Sequence, residues 1–401
     1  MLFLLTSAII SVLAGCAGEM EREYLPQIIR IDRDIVARAT QHILATADTS
    51  ALEIDAVATP GTESDTAVIG APERTTFFTR DDGAIVFHLS HQNDPSHPIH
   101  LGLLRFQEEI YTRSEGTLVV DIFPDAIIGN DVANINMINA NELDASAVLS
   151  WGMWSGINEL AGLDSLPYIF TNYEEAWAAH EGALGQWVST YVIEPHGGRV
   201  LGFWTNGLRH FTNNVRPIQR PEDLQGLIMR SPQIPIHLAM YDEFGAASIA
   251  IAFTELYDAL AAGVADGQDN PLSNIHASRF YQVQRYLSLS NHMYTCAVVV
   301  VSTDLWDALT EEQQQILLDS NLIAARYQGD LTVSMENHQL RDIIASGTLV
   351  NEVDMVAFFE ASLPIWEYNN VRFGQNFTNF VAAVRPYISD PNALAHRFSY
   401  Y

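Results

Sequence analysis

The sequence predicts an α/β fold with parallel sheet. From residue 84 onward, apolar runs of strand length alternate with longer runs of helical period, and that alternation implies parallel sheets covered by helices. The chain has 401 residues, 48% hydrophobic and 17% charged, enough for two domains and a sizeable core.

The elements follow in order. Residues 84–89 read as a strand, and 98–114 as a helix carrying Leu101, Leu103, Leu104, Phe106 and Ile110 on its apolar side. A second strand at 118–123 is entered through Gly116 and closed by Pro124. A helix near 131–139 leads to a strand at 145–149, and the run Leu166-Pro167-Tyr168-Ile169-Phe170 comes next. Residues 174–184 and 186–194 read as helical, and 199–204 as a strand. Pro221 suits the first position of a short helix, because its missing N–H would be unpaired there anyway. Glu222 and Asp223 suit the positive end of that helix, and Gly226 stops it. A strand of Leu227, Ile228 and Met229 then delivers Arg230 at its far end, where open α/β sheets bind ligands. No internal repeat is present.

Ahead of this region lies a short apolar run, residues 2–14, ending in Leu13-Ala14-Gly15-Cys16. It is too short to span a bilayer and suits a signal-peptide core. The Leu-Ala-Gly-Cys sequence resembles the bacterial lipobox, which implies lipidation at Cys16 and residues 1–16 as a lipoprotein-type signal peptide. It departs from that pattern in having no Lys or Arg before the apolar run, and ordinary signal cleavage nearby is the alternative. Residues 17–83 read as an N-terminal extension, with a helical stretch near 21–46 and a Thr-, Gly- and Pro-rich linker at 47–75. Such a tether would let a lipid-anchored domain reach its partner, and a poorly ordered extension with no role fits the composition equally. The second cysteine, Cys296, sits in an apolar run and reads as a small buried residue, with no disulfide framework in the chain.

The formal charge of -29 excludes whole classes of partner. All 20 basic residues are arginines. So acidic a chain repels nucleic acid and anionic lipid, whose recognition needs clustered Lys and Arg. Adaptation to a salty exterior and an acidic partner-steering face both fit the excess. No Gly-x-Ser-x-Gly elbow, P-loop, His-Glu-x-x-His or Rossmann glycine triplet occurs, so neither an enzyme nor a cofactor is expected. His88, His91, His97 and His100 cluster in sequence, but no nearby Cys or paired carboxylate completes a metal site.

The most informative stretch runs from Trp204 to Pro271. It contains Gly207-x-Arg209, Arg216-Pro217-Ile218, Pro221-Glu222-Asp223-Leu224-x-Gly226-Leu227-x-x-Arg230, and Gly263-Val264-x-Asp266-Gly267-Gln268-x-Asn270-Pro271. In order and spacing these resemble the solute-binding proteins of tripartite ATP-independent periplasmic (TRAP) transporters, the dicarboxylate-binding-protein-like family, over about residues 84–363. The resemblance implies two α/β lobes of the type II periplasmic-binding fold, joined by hinge strands and a long helix spanning both. It assigns 84–207 with 296–335 to lobe I and 208–295 with 336–401 to lobe II. It also implies a periplasmic or cell-envelope location, an organic acid as ligand, and a membrane-embedded permease as partner.

By the same resemblance Arg230 forks a ligand carboxylate, in keeping with the paired N–H groups of a guanidinium. Arg209 stands at the place of a second arginine near the anion. Asn270 can donate its amide to a carboxylate oxygen, and Pro271 biases it toward an extended, presenting conformation. Asp269 replaces the family's usual glutamate. Phe253 is placed to cover the apolar part of a ligand, while Asn93, Trp151 and Trp154 stand where the variable end is contacted. Two tryptophans point to a flat or apolar ligand body. A sensory protein presenting the same kind of ligand to a receptor kinase is the rival reading, and an enzyme on this fold a second.

Overall fold

The computed structural model describes residues 76–388. The expected signal peptide, Cys16, the 21–46 helix and the 47–75 linker lie outside the described residues.

The first lobe is built on strands β1 (Phe78–Thr79), β2 (Ile85–Ser90), β3 (Leu118–Phe123) and β4 (Ala145–Val148), with helices α1 (Pro98–Arg113) and α2 (Asp131–Asn139) between them. Strand β1 falls inside the expected 17–83 extension, yet it pairs antiparallel with β2 and so belongs to the sheet. β2 runs parallel to both β3 and β4. Helix α1 starts where expected because His97 caps it, its Nδ1 accepting from Ile99 N at 3.1 Å, and Pro98 takes the first turn. Its buried stripe is Ile99, Leu103, Phe106 and Ile110, while Leu104 is exposed.

Helices α3 (Tyr173–Glu181) and α4 (Ala183–Val188) are broken at Gly182, not at Gly185. Gly185 is helical and packs so closely on the turn before it that a Cβ would meet the His180 carbonyl at 1.9 Å. The expected helix of 186–194 is instead the end of α4, a π turn and a 3-10 turn.

Strand β5 (Gly198–Asn213) is the hinge, and at 16 residues it is far longer than the expected 199–204. Its first part pairs antiparallel with β10 (Tyr294–Ser302) in lobe I, ending at the Leu208–Tyr294 pair. From Arg209 to Asn213 it pairs instead with β8 (Gly267–Pro271) in lobe II. Gly207 stands at the changeover with φ +133°, and a bulge lies opposite at Thr295/Cys296. The rest of lobe II holds β6 (Ile228–Ser231), α5 (Pro235–Glu243), β7 (Ala247–Ala250), α6 (Leu256–Ala261), α7 (Leu272–Ala277) and β9 (Tyr286–Leu289). Strands β8, β6 and β7 lie side by side in that order. After α8 (Thr303–Ala308) comes α9 (Glu311–Ala345), whose 35 residues extend about 52 Å at 1.5 Å per residue. It packs on α1 and β5 in lobe I and on α7 in lobe II, so the long helix does span both. Its Gln328 amide brackets Thr205 of the hinge strand, accepting from the backbone N at 2.9 Å and donating to the carbonyl at 2.7 Å.

The C-terminal part departs from the expected lobe division. After β11 (Leu349–Glu352), helix α10 (Met355–Phe373) packs on α5 of lobe II, yet its Trp366 Nε1 donates to Pro167 O of lobe I at 3.0 Å. Helix α11 (Gln375–Val384) packs on α4 of lobe I, with Phe380 edge-on to Trp187 at 5.5 Å. Residues 336–401 are therefore not all lobe II: α10 bridges the lobes and α11 returns to the first.

Candidate functional site: the cleft between the lobes

A cleft opens where the two lobes face each other, with ≈ 630 Å³ of space along its walls, part of it open to solvent. Lobe II contributes Arg230, His237, Phe253 and Asn270; lobe I contributes Gln92, Asp131, Ser150 and Met153. Asn206, Arg209 and Thr295 of the hinge strands form its back.

Arg230 is the third residue of β6, flanked by β7 and β8 in parallel register, so its place on the sheet is fixed from both sides. It is 3% exposed, and its Nε donates to Ile251 O at 2.9 Å. Among the described residues no carboxylate lies within ion-pair distance of it. Burial lowers its pKa to about 10, with the charge of Arg209 adding to the effect, so it stays cationic at neutral pH.

Arg209 is held differently. Its Nε and Nη2 donate to the side chain and the carbonyl of Asp269. That carboxylate also faces His237 Nε2 at 2.9 Å, Tyr241 OH at 2.5 Å and His292 Nε2 at 3.3 Å. Burial alone would raise the pKa of Asp269, but Arg209 and His237 outweigh it and hold the group well below the usual carboxylate range. Asn270 lines the cleft with its amide engaged by neighbours: Nδ2 donates to Gln268 Oε1, and Oδ1 accepts from Asn274 Nδ2 at 3.1 Å. Phe253 lines it from the loop after β7, edge-on to Phe280 at 5.8 Å.

Trp151, Trp154 and Asn93 are not among the lining residues. Both tryptophans sit in the apolar core with Ile135, Val148 and Leu163, at 1% and 0% exposure. Asn93 is also buried, its backbone N–H donating to His91 Nδ1 at 3.2 Å. A flat or apolar ligand body therefore loses the observation it rested on.

Sequence reasoning missed Asp131 and His237. Asp131 is the first residue of α2, and its Oδ2 accepts from Gln92 Nε2 at 2.7 Å and Leu149 N at 3.1 Å. Burial pushes its pKa up to about 7. An acid at a helix start reads as a charge on the helix dipole, and a histidine in Ile236-His237-Leu238 reads as core, so neither carried a signal. Of the four histidines, His88 turns away, its Nδ1 3.5 Å from Asp144, while His91, His97 and His100 stay together: His91 Nε2 lies 3.0 Å from His100 Nδ1, and His97 caps α1. Among the described residues no group of three or more His, Cys, Asp or Glu is arranged to hold a metal ion.

Two α/β lobes hinged on shared strands, with a buried arginine in the cleft between them, define a ligand-capturing binding protein. The profile of the bacterial extracellular solute-binding proteins, family 7, matches residues 89–371, and the chain belongs to that family of TRAP solute-binding proteins. Its similarity to the 2,3-diketo-L-gulonate-binding periplasmic protein of Escherichia coli (strain K12) is 29% identity over 263 residues, covering 65% of this chain and 80% of the relative. A TRAP periplasmic solute-binding protein from Polaromonas sp. JS666, bound to D-erythronate, superposes with a TM-score of 0.71 at 27% identity over 75% of this chain and 98% of its own. One from Sulfitobacter sp. NAS-14.1, with bound β-D-galacturonate, gives 0.72 at 26% identity over 75% and 99%. The family and these relatives are solute-binding proteins, not enzymes, and the family is a periplasmic one. No described helix is long and apolar enough to cross a membrane.

Proposed function

We propose that this protein captures an organic acid anion in the interlobe cleft through Arg230 and delivers it to a membrane-embedded TRAP permease. The observation that carries the reading is the state of Arg230: buried in the cleft wall, with a bond from Nε to Ile251 O and no carboxylate partner among the described residues. A buried guanidinium gains most from an anion that pairs with its fork of N–H groups. Arg209, paired with Asp269, backs the cleft with its charge already balanced, and Asn270 and Phe253 complete the wall. Because lobe I and lobe II both line the cleft, the anion favours the closed arrangement of the lobes over an open one. Delivery to a permease follows from the family, and a lipid anchor at Cys16 would keep the protein at the membrane that holds it.

A thermal-shift screen of the purified chain against organic acids tests this. Ligand at a hundredfold excess over its dissociation constant should add about 2.7 kcal/mol of stability. A shift that vanishes in Arg230→Ala supports the reading; shifts with neutral compounds and none with acids overturn it.

A further inference from the structure

The cleft wall holds buried acceptor atoms on both lobes that no protein donor satisfies, His237 Nδ1 and Asp131 Oδ1 among them. On lobe II, His237 is 1% exposed and directs Nε2 at Asp269 Oδ1, 2.9 Å away. Asp269 is kept ionised by Arg209, so it accepts, and the imidazole proton resides on Nε2. Nδ1 is then a bare lone pair, and it has no hydrogen-bond partner among the described residues. Burial keeps the ring neutral, with the charge of Arg209 opposing protonation further, although Asp269 pulls the other way; the pKa falls to about 4. On lobe I, Asp131 gives Oδ2 to both Gln92 and Leu149, while Oδ1 has no partner. A hydroxyl both donates and accepts, so it satisfies this carboxyl whether ionised or protonated.

From these two atoms we infer that the captured anion is a hydroxylated acid, and that His237, locked by Asp269 into an acceptor-only tautomer, is the residue that selects it. The carboxylate sits on Arg230, one hydroxyl donates to His237 Nδ1, and a second meets Asp131 Oδ1 across the cleft. This rests on the Arg230 reading and narrows it from organic acids in general to polyhydroxylated ones. The physical ground is the asymmetry of hydrogen bonding: an acceptor buried by ligand and left without a donor keeps its full desolvation cost. A plain alkanoate or dicarboxylate of the same length leaves both atoms in that condition, and a site built to bond hydroxyls rejects such analogues strongly.

Calorimetric titration of the purified chain with matched pairs of probes tests it: D-erythronate against butyrate and succinate, D-gluconate against hexanoate and adipate. The expected result is that one hydroxylated acid binds at least about tenfold more tightly than its deoxy counterparts. His237→Phe should erase that preference while changing affinity for the deoxy acid little. His237→Gln, which can present an acceptor, should restore part of it, a recovery that a merely structural role for the ring would not produce. Deoxy acids binding through Arg230 as tightly as the hydroxylated ones would overturn this inference and leave the organic-acid reading standing. A preference that survives His237→Phe would also overturn it. If no acid of either series binds, both readings fall together.

Discussion

The Asp269 carboxylate is the counter-ion of Arg209, which donates to both its side chain and its carbonyl. The two cleft arginines are thereby made unequal: one is neutralised within lobe II and its hinge, and the other keeps its charge for the cleft. Replacing Asp269 with Asn leaves Arg209 and two histidines around a neutral amide. Breaking a buried pair on one side costs about 3–5 kcal/mol. Denaturant unfolding of Asp269→Asn should show a loss of that order, and a loss below about 1 kcal/mol would mean the pair contributes little.

Arg230 should tolerate no replacement, including lysine. Its β6 backbone fixes the guanidinium with Nε on Ile251 O, leaving the outer nitrogens for a ligand. A lysine would keep the charge but lose the planar fork. Arg230→Ala should weaken acid binding by about 2–5 kcal/mol, and Arg230→Lys should recover only part of that. Titration calorimetry of both variants decides it; equal affinity for Lys and Arg would show that charge alone matters.

Legibility in the sequence followed how locally each feature is encoded. Arg209, Arg230 and Asn270 stood out because the Gly- and Pro-bearing motifs around them carry the family resemblance, although Arg209 lies inside β5 rather than at its end. Asp131 and His237 did not, because their meaning comes from two lobes meeting across a cleft. Trp151 and Trp154 misled because a large aromatic ring serves a core as well as a ligand, and only the tertiary structure distinguishes the two. Strand β5 was read short for a related reason: residues 205–213 mix Asn, Gly, Arg, His and Thr with apolar residues. Their burial comes from two sheets rather than from an alternating face. The family resemblance puts residues 336–401 in one lobe, and nothing local in the C-terminal helices says which lobe each packs against.

Gly207 is the hinge residue for which side chains are excluded on two grounds. Its φ of +133° is open to glycine and strained for other residues, and a Cβ there would meet Pro271 Cβ at 3.0 Å and Tyr173 OH at 3.3 Å. Tyr173 OH in turn accepts from Leu208 N at 3.3 Å and bonds Glu336 of the long helix, so it is not free to make way for an added methyl group. Gly207→Ala should cost about 1–3 kcal/mol in denaturant unfolding. Small-angle scattering should also show a smaller ligand-induced compaction than in the parent protein. A variant with parental stability and closure would place the hinge elsewhere in β5 or β10.

Acid should destabilise the fold below about pH 6.5, although two buried carboxyls act in the opposite sense. Burial lowers His91 and His210 to about 3, and His97, His180 and His237 to about 4, from an ordinary 6.5. Each binds its proton in the unfolded chain first, so the stability it contributes is complete above pH 6.5 and is lost as pH falls toward its folded value. Asp131 and Asp164 are raised by burial to about 7 from 3.8, so the folded chain takes up their protons first and gains stability over the same interval. These five largest histidine shifts outweigh the two largest carboxyl shifts, and His100 and His292 against Asp125, Asp242 and Glu336 add smaller shifts of both signs. The balance is a net loss, each group weighing about 1.4 kcal/mol per pH unit while its two states differ in protonation. The melting temperature should therefore fall between pH 6.5 and pH 4.5. His180→Phe should flatten that fall, since His180 lies buried among Phe170, Phe203 and Tyr294 with a single bond to Ala176 O. A melting temperature that rises on acidification across this interval would mean that the carboxyls, not the histidines, set the acid response.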